Sequence, residues 1–406
     1  MTDTLRLATR GSDLALRQAG TVRDALSSRR RDVEIRRVET RGDEIRDELI
    51  HRLGRIGAFV HALDEEVIGG DADLAVHSLK DVPTEGMGAD DLVIAGVPER
   101  APAGDVLVHP DGLEFPDLPS GAVVGTGSLR RTAQIKAARP DLEVEPIRGN
   151  VDTRIEKLLA PGLQTEHERR LIASGEAHTL TAEQGGEEGT DDDSVVEEDD
   201  VAEEQDDVAE EDGVAEEQDG VAEEDEASDF DRTVEEWFDD LSELERSAME
   251  RSVDVEYDAL VLAEAGLVRS GLDDAVPTER LPRDEFVPAA GQGAIAVTAT
   301  APDVIEAVRS AVDHPRTRVA TTVERTVLAG LNGGCIAPIG VTARVQGEYV
   351  NVRARVLSTD GTEEVADARD LPIRNHAKEA EAFAADLADR GADELIAAAR
   401  AEVDDE

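Results

Sequence analysis

A lysine and an aspartate stand side by side in the segment VHSLKDVP, at residues 76–83, where an apolar run ends. The cation of Lys80 would keep the carboxylate of Asp81 ionised, and an ionised carboxylate can stabilise positive charge that develops during a reaction. An ordinary ion pair in a loop would have the same sequence. Asp81 is therefore a candidate catalytic residue, and the spacing alone leaves both roles open.

Cys335 is the only cysteine of the 406 residues, and it lies in the segment LAGLNGGCIAPIG at 328–340. A lone cysteine is most often a small, buried apolar residue. Here Gly333 and Gly334 precede it, and glycines leave the backbone open to close approach by another group. The glycines favour a thiol that contacts a ligand. The buried apolar role and the ligand-contacting role are distinguished only by the rest of the sequence.

Basic and hydroxyl residues gather in the turns that follow three predicted strands. A turn from a strand into a helix has free N–H groups that favour anions, and arginine binds carboxylates or phosphates through two hydrogen bonds. One isolated arginine is best explained as a surface ion pair, but five at three equivalent strand ends predict a polyanionic ligand. The candidate residues are Arg10, Ser12, Thr126, Ser128, Arg130, Arg131, Arg148 and Arg154.

The glycine-rich turn GTGS at 125–128 looks superficially like a nucleotide-binding loop. It lacks the lysine of a P-loop, and the glycine spacing of a dinucleotide-binding turn is absent. We therefore predict no nucleotide cofactor.

Repeated strand–turn–helix units must position these residues. The clearest are TLRLATR at 4–10 with the helix after it, AVVGTGSLRRTAQIKAAR at 122–139 and EVEPIRGNVDTRIEKLL at 143–159. Such repetition predicts α/β domains with largely parallel sheets, which bind ligands beyond the carboxyl ends of their strands. After residue 337 apolar and polar residues alternate, which predicts a small antiparallel sheet in a separate α+β domain with Cys335 at its start.

The composition excludes several classes of partner. The chain carries 94 Asp and Glu against 42 Lys and Arg, a net charge of −52, and this surface would repel nucleic acid and anionic membranes. An acidic excess of this size suggests a cytoplasm of very high salt, where screening reduces self-repulsion. A single cysteine excludes an intrachain disulfide. Because no signal peptide or membrane span is evident, we expect a soluble cytoplasmic protein.

One segment, from about 160 to 252, differs from the rest. It holds 36 acidic residues and five arginines, and a degenerate VAEE repeat runs through it. Low hydrophobicity and high like charge predict disorder. A stretch at 230–249 has apolar residues at helical spacing and is the possible exception. We interpret the segment as an acidic insertion in a folded domain, and a solvated tract is favoured over a partner-binding arm.

Taken together, these stretches resemble the porphobilinogen deaminase family, also called the hydroxymethylbilane synthases. The resemblance covers nearly all of the chain except the insertion, and its motifs follow the family's order. The matching segments are LRLATRGSDLAL, ADLAVHSLKDVP, VGTGSLRRTAQI, IRGNVDTRIEKL, YDALVLAEAGL, PAAGQGAIAV and ERTVLAGLNGGCIAPIG.

The resemblance implies a covalent cofactor and a reaction. In this family the loop cysteine holds a dipyrromethane primer through a thioether, so Cys335 would be the attachment site, with Gly333 and Gly334 giving the linked pyrrole room. Four porphobilinogen molecules add in turn with loss of four ammonia molecules, and water releases hydroxymethylbilane for tetrapyrrole biosynthesis (haem, sirohaem and cobalamin). The acetate and propionate groups of the pyrroles would be the polyanion that the arginines predict.

The resemblance also implies roles for site residues. Asp81 would stabilise positive charge on pyrrole nitrogens and shuttle protons. Gln292, in PAAGQGA, has a less defined binding role. A lysine that the family often has before HSLKDVP is replaced by Ile56, and Arg55 is a possible substitute. No metal is implied. The residues that match positions binding cofactor and substrate carboxylates are Arg10, Ser12, Lys80, Thr126, Ser128, Arg130, Arg131, Arg148 and Arg154.

The implied fold is α/β, with two lobes similar to those of periplasmic binding proteins and a C-terminal α+β domain. Lobe 1 would span 1–100 and 290–312, lobe 2 would span 101–289 with the insertion at about 160–252, and the C-terminal domain 315–406. We expect a monomer whose partner is the small molecule porphobilinogen. The alternative is a non-catalytic two-lobed small-anion binding protein, which would explain the arginines but neither Cys335 nor the Lys80–Asp81 pair.

Overall fold

The computed structural model describes residues 3–28, 31–38, 58–84, 92–174, 230–334 and 337–405. The chain divides into two compact units, one of residues 1–159 and 252–406 and the other of residues 160–251. The described strands are β1 Asp3–Thr9, β2 Arg31–Arg37, β3 Leu74–Ser78, β4 Val93–Gly96, β5 Asp105–Val108, β6 Val123–Gly125, β7 Glu143–Glu145, β8 Ala259–Ala263, β9 Thr278–Arg280, β10 Ile295–Ala299, β11 Ile339–Gln346, β12 Tyr349–Leu357 and β13 Glu364–Pro372.

The described α-helices follow the same chain order. They are α1 Asp13–Leu26, α2 Ala58–Ile68, α3 Leu129–Ala138, α4 Val151–Ser174, α5 Val234–Asp240, α6 Glu243–Met249, α7 Glu264–Ser270, α8 Pro302–Ala311, α9 Pro315–Gly330, α10 His376–Ala388 and α11 Ala392–Asp405. Short 3-10 turns lie at Leu79–Asp81, Phe115–Asp117 and Ile373–Asn375. Among the residues described, no helix has the length and apolar character needed to cross a membrane.

The first sheet has the strand order β2-β1-β3-β10-β4. β1 pairs in parallel with β2 and β3, whereas β10 is antiparallel to both β3 and β4. Leu7, Leu74 and Val297 are fully buried between the sheet and its helices. The helix α1 begins where Ser12 accepts a hydrogen bond from the Ala15 nitrogen, so the chain turns directly from β1 into a helix.

The second sheet repeats this plan in the order β7-β6-β8-β5-β9. β6 is parallel to β7 and β8, and β5 is antiparallel to β8 and β9. Its core includes Val124, Ile135 and Phe286, and the Phe286 ring meets Phe115 edge-on with centroids 5.1 Å apart. Each of these two sheets thus has four strands that run in one direction and one strand, β10 or β5, that runs the other way.

The C-terminal domain is an antiparallel sheet, β11-β12-β13, with helices packed against it. Val323 and Val327 of α9, Val341 and Val352 of the sheet, and Phe383 of α10 are all fully buried there. α9 begins at Pro315, and the ring of His314 accepts a hydrogen bond from the Thr317 nitrogen. This long helix ends at the loop that carries Cys335.

The smaller unit, 160–251, contains helices at both ends. The helix α4 continues through Pro161 to Ser174, and α5 and α6 each begin with a capping box, at Thr233 and Ser242. Trp237 of α5 stacks on His167 of α4 with ring centroids 5.8 Å apart at 17°. The guanidinium of Arg170 lies 4.2 Å from the centroid of the Phe230 ring.

The predicted α/β lobes with a C-terminal α+β domain are confirmed, with two differences in detail. Four of the five strands in each lobe sheet run in one direction, as predicted, but one reversed strand, β10 or β5, makes each sheet mixed. The disorder predicted for the insertion is wrong at 160–174, where α4 continues. The exception suggested at 230–249 agrees with the structure, which has the helices α5 and α6 there. Residues 175–229 lie outside the described ranges.

Candidate functional site

Asp81 ends the 3-10 turn that follows β3. Its side chain is 54% exposed and that of Lys80 is 48% exposed, and Lys80 Nζ lies 4.0 Å from Asp81 Oδ1. The preceding residue, Leu79, is buried, and its nitrogen donates a hydrogen bond to the Ala294 oxygen at 2.9 Å. The turn therefore presents a solvent-exposed carboxylate and a solvent-exposed ammonium group on a backbone that is held by the hydrogen bond to Ala294.

Arg10 and Ser12 lie beside this turn at the same edge of the first sheet. β1 and β3 are parallel neighbours, so the residues that follow their carboxyl ends are adjacent. Arg10 is half-buried immediately after β1. The hydroxyl of Ser12 accepts from the Ala15 nitrogen at 3.4 Å, so it caps α1 and still has a proton to donate.

Thr126 and Ser128 occupy the equivalent turn of the second sheet, after β6. Thr126 is 2% exposed, and its Oγ1 has no hydrogen-bond partner among the residues described, whereas its backbone bonds to Glu145 and Ile147. Ser128 is the first flanking residue of α3, but its hydroxyl makes no capping bond. Both hydroxyls remain available to a ligand at this edge.

Arg148 and Arg154 border the same turn. Arg154 donates from Nε to the Gly149 oxygen at 2.8 Å, and a Cβ built on Gly127 would lie 3.4 Å from its Nη2. Burial, and then the charge of Arg131, lower the pKa of Arg154 to about 10. Arg148 is half-buried without a hydrogen bond or ion pair to any residue in the described ranges. Neither of these two arginines forms an ion pair with a carboxylate of the described residues.

Arg130 and Arg131 are instead engaged with a buried carboxylate, Asp105, at the start of β5. Arg130 Nη1 donates to Asp105 Oδ2 at 2.8 Å, and Arg131 donates from Nε and Nη2 to Oδ1 at 3.0 and 2.8 Å. Burial raises the pKa of Asp105, but the two guanidiniums outweigh that effect and lower it to about 2. The three side chains carry a net charge of +1.

Gln292 completes this cluster rather than lining an open site. It is 3% exposed, and its Nε2 donates to the oxygens of Ala103, Gly104 and Asp105 at 2.7 to 3.0 Å. Its Oε1 accepts from Arg130 and Arg131 at 3.3 and 3.4 Å. Gln292 therefore orients the two arginines.

The cluster also shows where the two sheets meet. Ile295 of β10 pairs with Ser78 at the carboxyl end of β3, so Gln292, just before β10, lies at the carboxyl edge of the first sheet. Asp105 pairs with Ala263 at the carboxyl end of β8, which places it at the carboxyl edge of the second sheet. Because Gln292 bonds to Asp105, the two ligand-binding edges adjoin each other.

Cys335 lies outside the described residues, as do Arg55 and Ile56, but the approach to the cysteine is described. Asn332 adopts a left-handed conformation with φ of 50°, and Arg400 donates to its oxygen. A Cβ on Gly333 would lie 2.7 Å from Leu328 Cδ1, so protein packing itself requires this glycine. The interpretation of these two glycines as room for a ligand stays a prediction, and among the described residues only Arg400 comes within 4 Å of a Cβ built on Gly334.

Two buried charged groups that support the site were missed in the sequence. Glu324 of α9 is fully buried, accepts from Arg100 at 2.6 and 3.0 Å, and also accepts from the nitrogens of Gly291 and Ala343. Arg100 Nε donates to the Gln292 oxygen at 2.7 Å. The signal was available for Glu324, since it falls on the apolar stripe of α9 formed by Ala320, Val323 and Val327.

Comparison with protein families matches most of the chain. A model described as "Porphobilinogen deaminase, dipyromethane cofactor binding domain" matches residues 5–170 and 243–306. A second, "Porphobilinogen deaminase, C-terminal domain", matches residues 319–391. The residues between 170 and 243 are left unmatched, and most of the predicted insertion lies there.

Curated relatives extend over both chains. A "Probable porphobilinogen deaminase" of Halobacterium salinarum is 53% identical over 401 residues, 98% of each chain. A "Porphobilinogen deaminase" of Desulforudis audaxviator is 34% identical over 399 residues, 97% of each chain. A "Probable porphobilinogen deaminase" of Methanococcoides burtonii is 32% identical over 392 residues, 96% of this chain and 95% of the other.

Proposed function

Because this chain belongs to the porphobilinogen deaminase family, we propose that it is a hydroxymethylbilane synthase, a transferase that condenses porphobilinogen stepwise with loss of ammonia. The observation that carries the proposal is the junction of the two carboxyl edges at Gln292 and Asp105. This junction supports a single cleft with Asp81 on one edge and the turn of Thr126 on the other. Both would contact the same ligand.

The residues of this cleft fit a group rich in carboxylates, such as the dipyrromethane for which the matched family domain is named. Thr126 Oγ1 is buried without a partner among the described residues, and Arg154 lies against the next residue, Gly127, with Nη atoms that make no hydrogen bond to a described residue. We propose that Thr126, Ser128, Arg148 and Arg154 hold acetate and propionate groups. Cys335 would hold the cofactor through a thioether, and the bound cofactor would supply the pyrrole carbon to which the substrate adds.

Asp81 would act on the reacting substrate. Loss of ammonia from porphobilinogen places positive charge on its pyrrole nitrogen, and a carboxylate close to that nitrogen stabilises the charge and can take or return its proton. The open position of Asp81 at the end of its turn suits this contact. Lys80, together with Arg10 and Ser12 at the same edge, would bind the substrate's carboxylates.

Arg130, Arg131 and Gln292 would contribute less directly. Most of their hydrogen bonds go to Asp105, to one another and to the oxygens of Val287 and Val261, while the buried Arg130 Nε has no partner among the described residues. In the described state their role is to hold a net positive charge at the base of the cleft. If one arginine left Asp105 to bind a ligand carboxylate, the other arginine and Asp105 would remain as a buried pair with a net charge of zero. We propose that this cluster draws in the polyanion electrostatically.

Intact-mass analysis tests the proposal directly. The folded wild type should carry the mass of a covalent dipyrrole and should convert porphobilinogen to hydroxymethylbilane. Cys335→Ser and Cys335→Ala should lack the added mass and form no tetrapyrrole. An unmodified wild type that binds porphobilinogen without turnover would instead favour the small-anion binding protein. Sedimentation of the same samples checks the expected monomer.

A further inference from the structure

The turn that carries Asp81 is held at its front by the segment before β10. Leu79 donates its nitrogen to the Ala294 oxygen at 2.9 Å. The Gly291 backbone, with φ of +75°, packs so closely that a Cβ there would lie 3.2 Å from the Lys80 nitrogen. These contacts fix the point at which the turn leaves β3.

The far end of the turn is held by Arg325, which lies on α9 in the C-terminal domain. Its Nη1 donates to the Val82 oxygen at 2.7 Å and to the Leu79 oxygen at 3.3 Å. Its Nη2 donates to the Pro83 oxygen at 2.7 Å. The three carbonyls bracket Lys80 and Asp81, and the rigid planar fork of a guanidinium fixes them relative to one another.

Val82 is buried in an apolar cluster with Leu79 and Val97, and hydrogen bonds hold the backbone on the side of the turn that faces Arg325. A cavity of about 250 Å³ borders Leu79, Thr84 and Arg325, so no described side chain fills the space behind the turn. The Arg325 side chain is half-buried, and burial lowers the pKa of its guanidinium. The Arg325 guanidinium is thus partly shielded from water, and its N–H groups donate hydrogen bonds to three backbone oxygens.

The residue that precedes Arg325 in the chain holds the opposite side of the same turn. Glu324 accepts from the Gly291 nitrogen at 2.8 Å, and Gly291 packs against Lys80. Glu324 and Arg325, adjacent residues of α9, thus hold the turn from two sides, Glu324 through Gly291 and Arg325 directly. That helix ends at Gly330, a few residues before Cys335.

We infer that Arg325 is a positioning residue, which fixes the 79–83 backbone from the C-terminal domain so that the Asp81 carboxylate keeps its place against the substrate. The inference rests on the proposed function, since Arg325 acts only through Asp81. The helix α9 would then fix the position of the Asp81 turn and would also lead directly into the segment that contains Cys335.

Two glutamine variants on the same helix separate this role from general stability. Arg325→Gln removes the bonds to the turn, whereas Arg318→Gln removes hydrogen bonds from α9 to the oxygens of Ile94 and Ala95, together with an ion pair to Asp313. Turnover is expressed per chain that carries the dipyrrole by intact mass. We expect Arg325→Gln to lower kcat about 10- to 100-fold with little change in KM, because small misplacements of a reacting group cost this much. Arg318→Gln should keep kcat within about threefold of wild type.

A double-mutant cycle tests whether Arg325 acts through Asp81. Asp81→Glu keeps a carboxylate but displaces it, so the exact placement of the backbone should matter less. In that background the further effect of Arg325→Gln on kcat should shrink to about threefold or less. Equal effects in both backgrounds, or equal losses from Arg325→Gln and Arg318→Gln, would contradict the inference.

Hydrogen exchange gives a readout that does not depend on activity. Amides of the peptide 74–84 should exchange faster in Arg325→Gln than in wild type or Arg318→Gln, with melting temperatures compared in parallel. If Arg325→Gln does not fold, Arg325→Lys serves in its place, since one ammonium cannot span three carbonyls and kcat should still fall. Unchanged exchange and kcat in that variant would overturn the inference, whereas a wild type without turnover would overturn the proposed function itself.

Discussion

At the scale of single residues, the position of Asp81 leads to a direct prediction. Its carboxylate is half exposed, and its only ion pair with a described residue is the 4.0 Å pair with Lys80, so Asp81→Asn removes charge without disturbing packing. We expect kcat to fall about 100- to 1000-fold, since both charge stabilisation and proton transfer are lost. Steady-state turnover of porphobilinogen measures the loss, and a fall of less than about tenfold (1.4 kcal/mol of barrier) would contradict the assigned role.

Asp117 supplies a matched control for Asp81. It is also the exposed last residue of a 3-10 turn, at Phe115–Asp117, and it lies outside the proposed cleft. Asp117→Asn should leave kcat unchanged, and both variants should unfold at the wild-type temperature.

Thr126 gives a second prediction at this scale, because its buried hydroxyl has no partner within the described structure. Thr126→Val keeps the shape and removes only the hydroxyl, so the free protein loses no hydrogen bond and its stability should not fall. A hydrogen bond to a ligand carboxylate would be lost, and we expect KM for porphobilinogen to rise about tenfold. Titration of rate against substrate concentration checks this.

Thr298 is the contrasting threonine. It is also fully buried, but its hydroxyl donates to Asp64 at 3.0 Å and contacts His77 at 3.1 Å. Thr298→Val should lower the free energy of unfolding by about 1–3 kcal/mol, because it leaves Asp64 and His77 with an unmade bond. If Thr126→Val destabilised the protein as much, its hydroxyl would have a structural partner after all.

At the scale of elements, Asp105 couples the start of β5 to α3, and this coupling is pH-dependent. The pKa of Asp105 is about 2 in the folded protein against an ordinary 3.8. The lowered pKa means that its stabilisation is complete above pH 4 and is lost as the pH falls from about 4 towards 2. The full contribution is about 2 kcal/mol.

A comparison with Asp105→Asn isolates this contribution. The variant leaves Arg130 and Arg131 buried without a counter-charge, so it should be destabilised at neutral pH. The difference in free energy of unfolding from wild type should shrink by about 1 kcal/mol between pH 6 and pH 3. Asp141, whose pKa is also lowered to about 2 by a hydrogen bond from Arg139, lies on the surface, and Asp141→Asn should show little such change. A pH-independent difference for Asp105→Asn would contradict the coupling.

The elements also show what a sequence can predict. The turns of Asp81 and Thr126 are marked by glycine, proline and polar residues after apolar runs, and the structure has turns there. Asp105 gives no such local signal, because its partners lie 25 and 26 residues further on and across a sheet. The helix α4 continues through Pro161, a residue that normally ends a helix, so its extension to Ser174 could not be read from local preference. The lobe boundaries and the roles of the site residues remain predictions.

At the scale of the whole molecule, the acidic insertion is expected to be separable from catalysis. Residues 175–229 carry 26 of the 94 acidic residues and no lysine or arginine. The Arg170 guanidinium contacts the Phe230 ring, so the chain on either side of this segment is close together and a short Gly-Ser linker can replace it. The deletion should keep kcat within about twofold, because the family models match the chain on both sides of this segment.

The same deletion should change the response to salt. It halves the net charge from −52 to −26, so less screening is needed to offset self-repulsion. We expect the deleted protein to unfold at a lower salt concentration than the full chain when salt is diluted out, as followed by circular dichroism. A deletion that needs more salt, or that loses turnover, would assign the segment a role in folding or catalysis.

The stack of Trp237 on His167 has a practical outcome for such measurements. Trp237 is the sole tryptophan of the chain, and it belongs to the 160–251 unit rather than to the sheets that hold the proposed cleft. Indole emission is therefore an optical label for the smaller unit alone. A denaturant titration can follow indole emission and the ultraviolet dichroism of the backbone together, without any dye being attached. If the two signals change at different denaturant concentrations, the two units unfold separately.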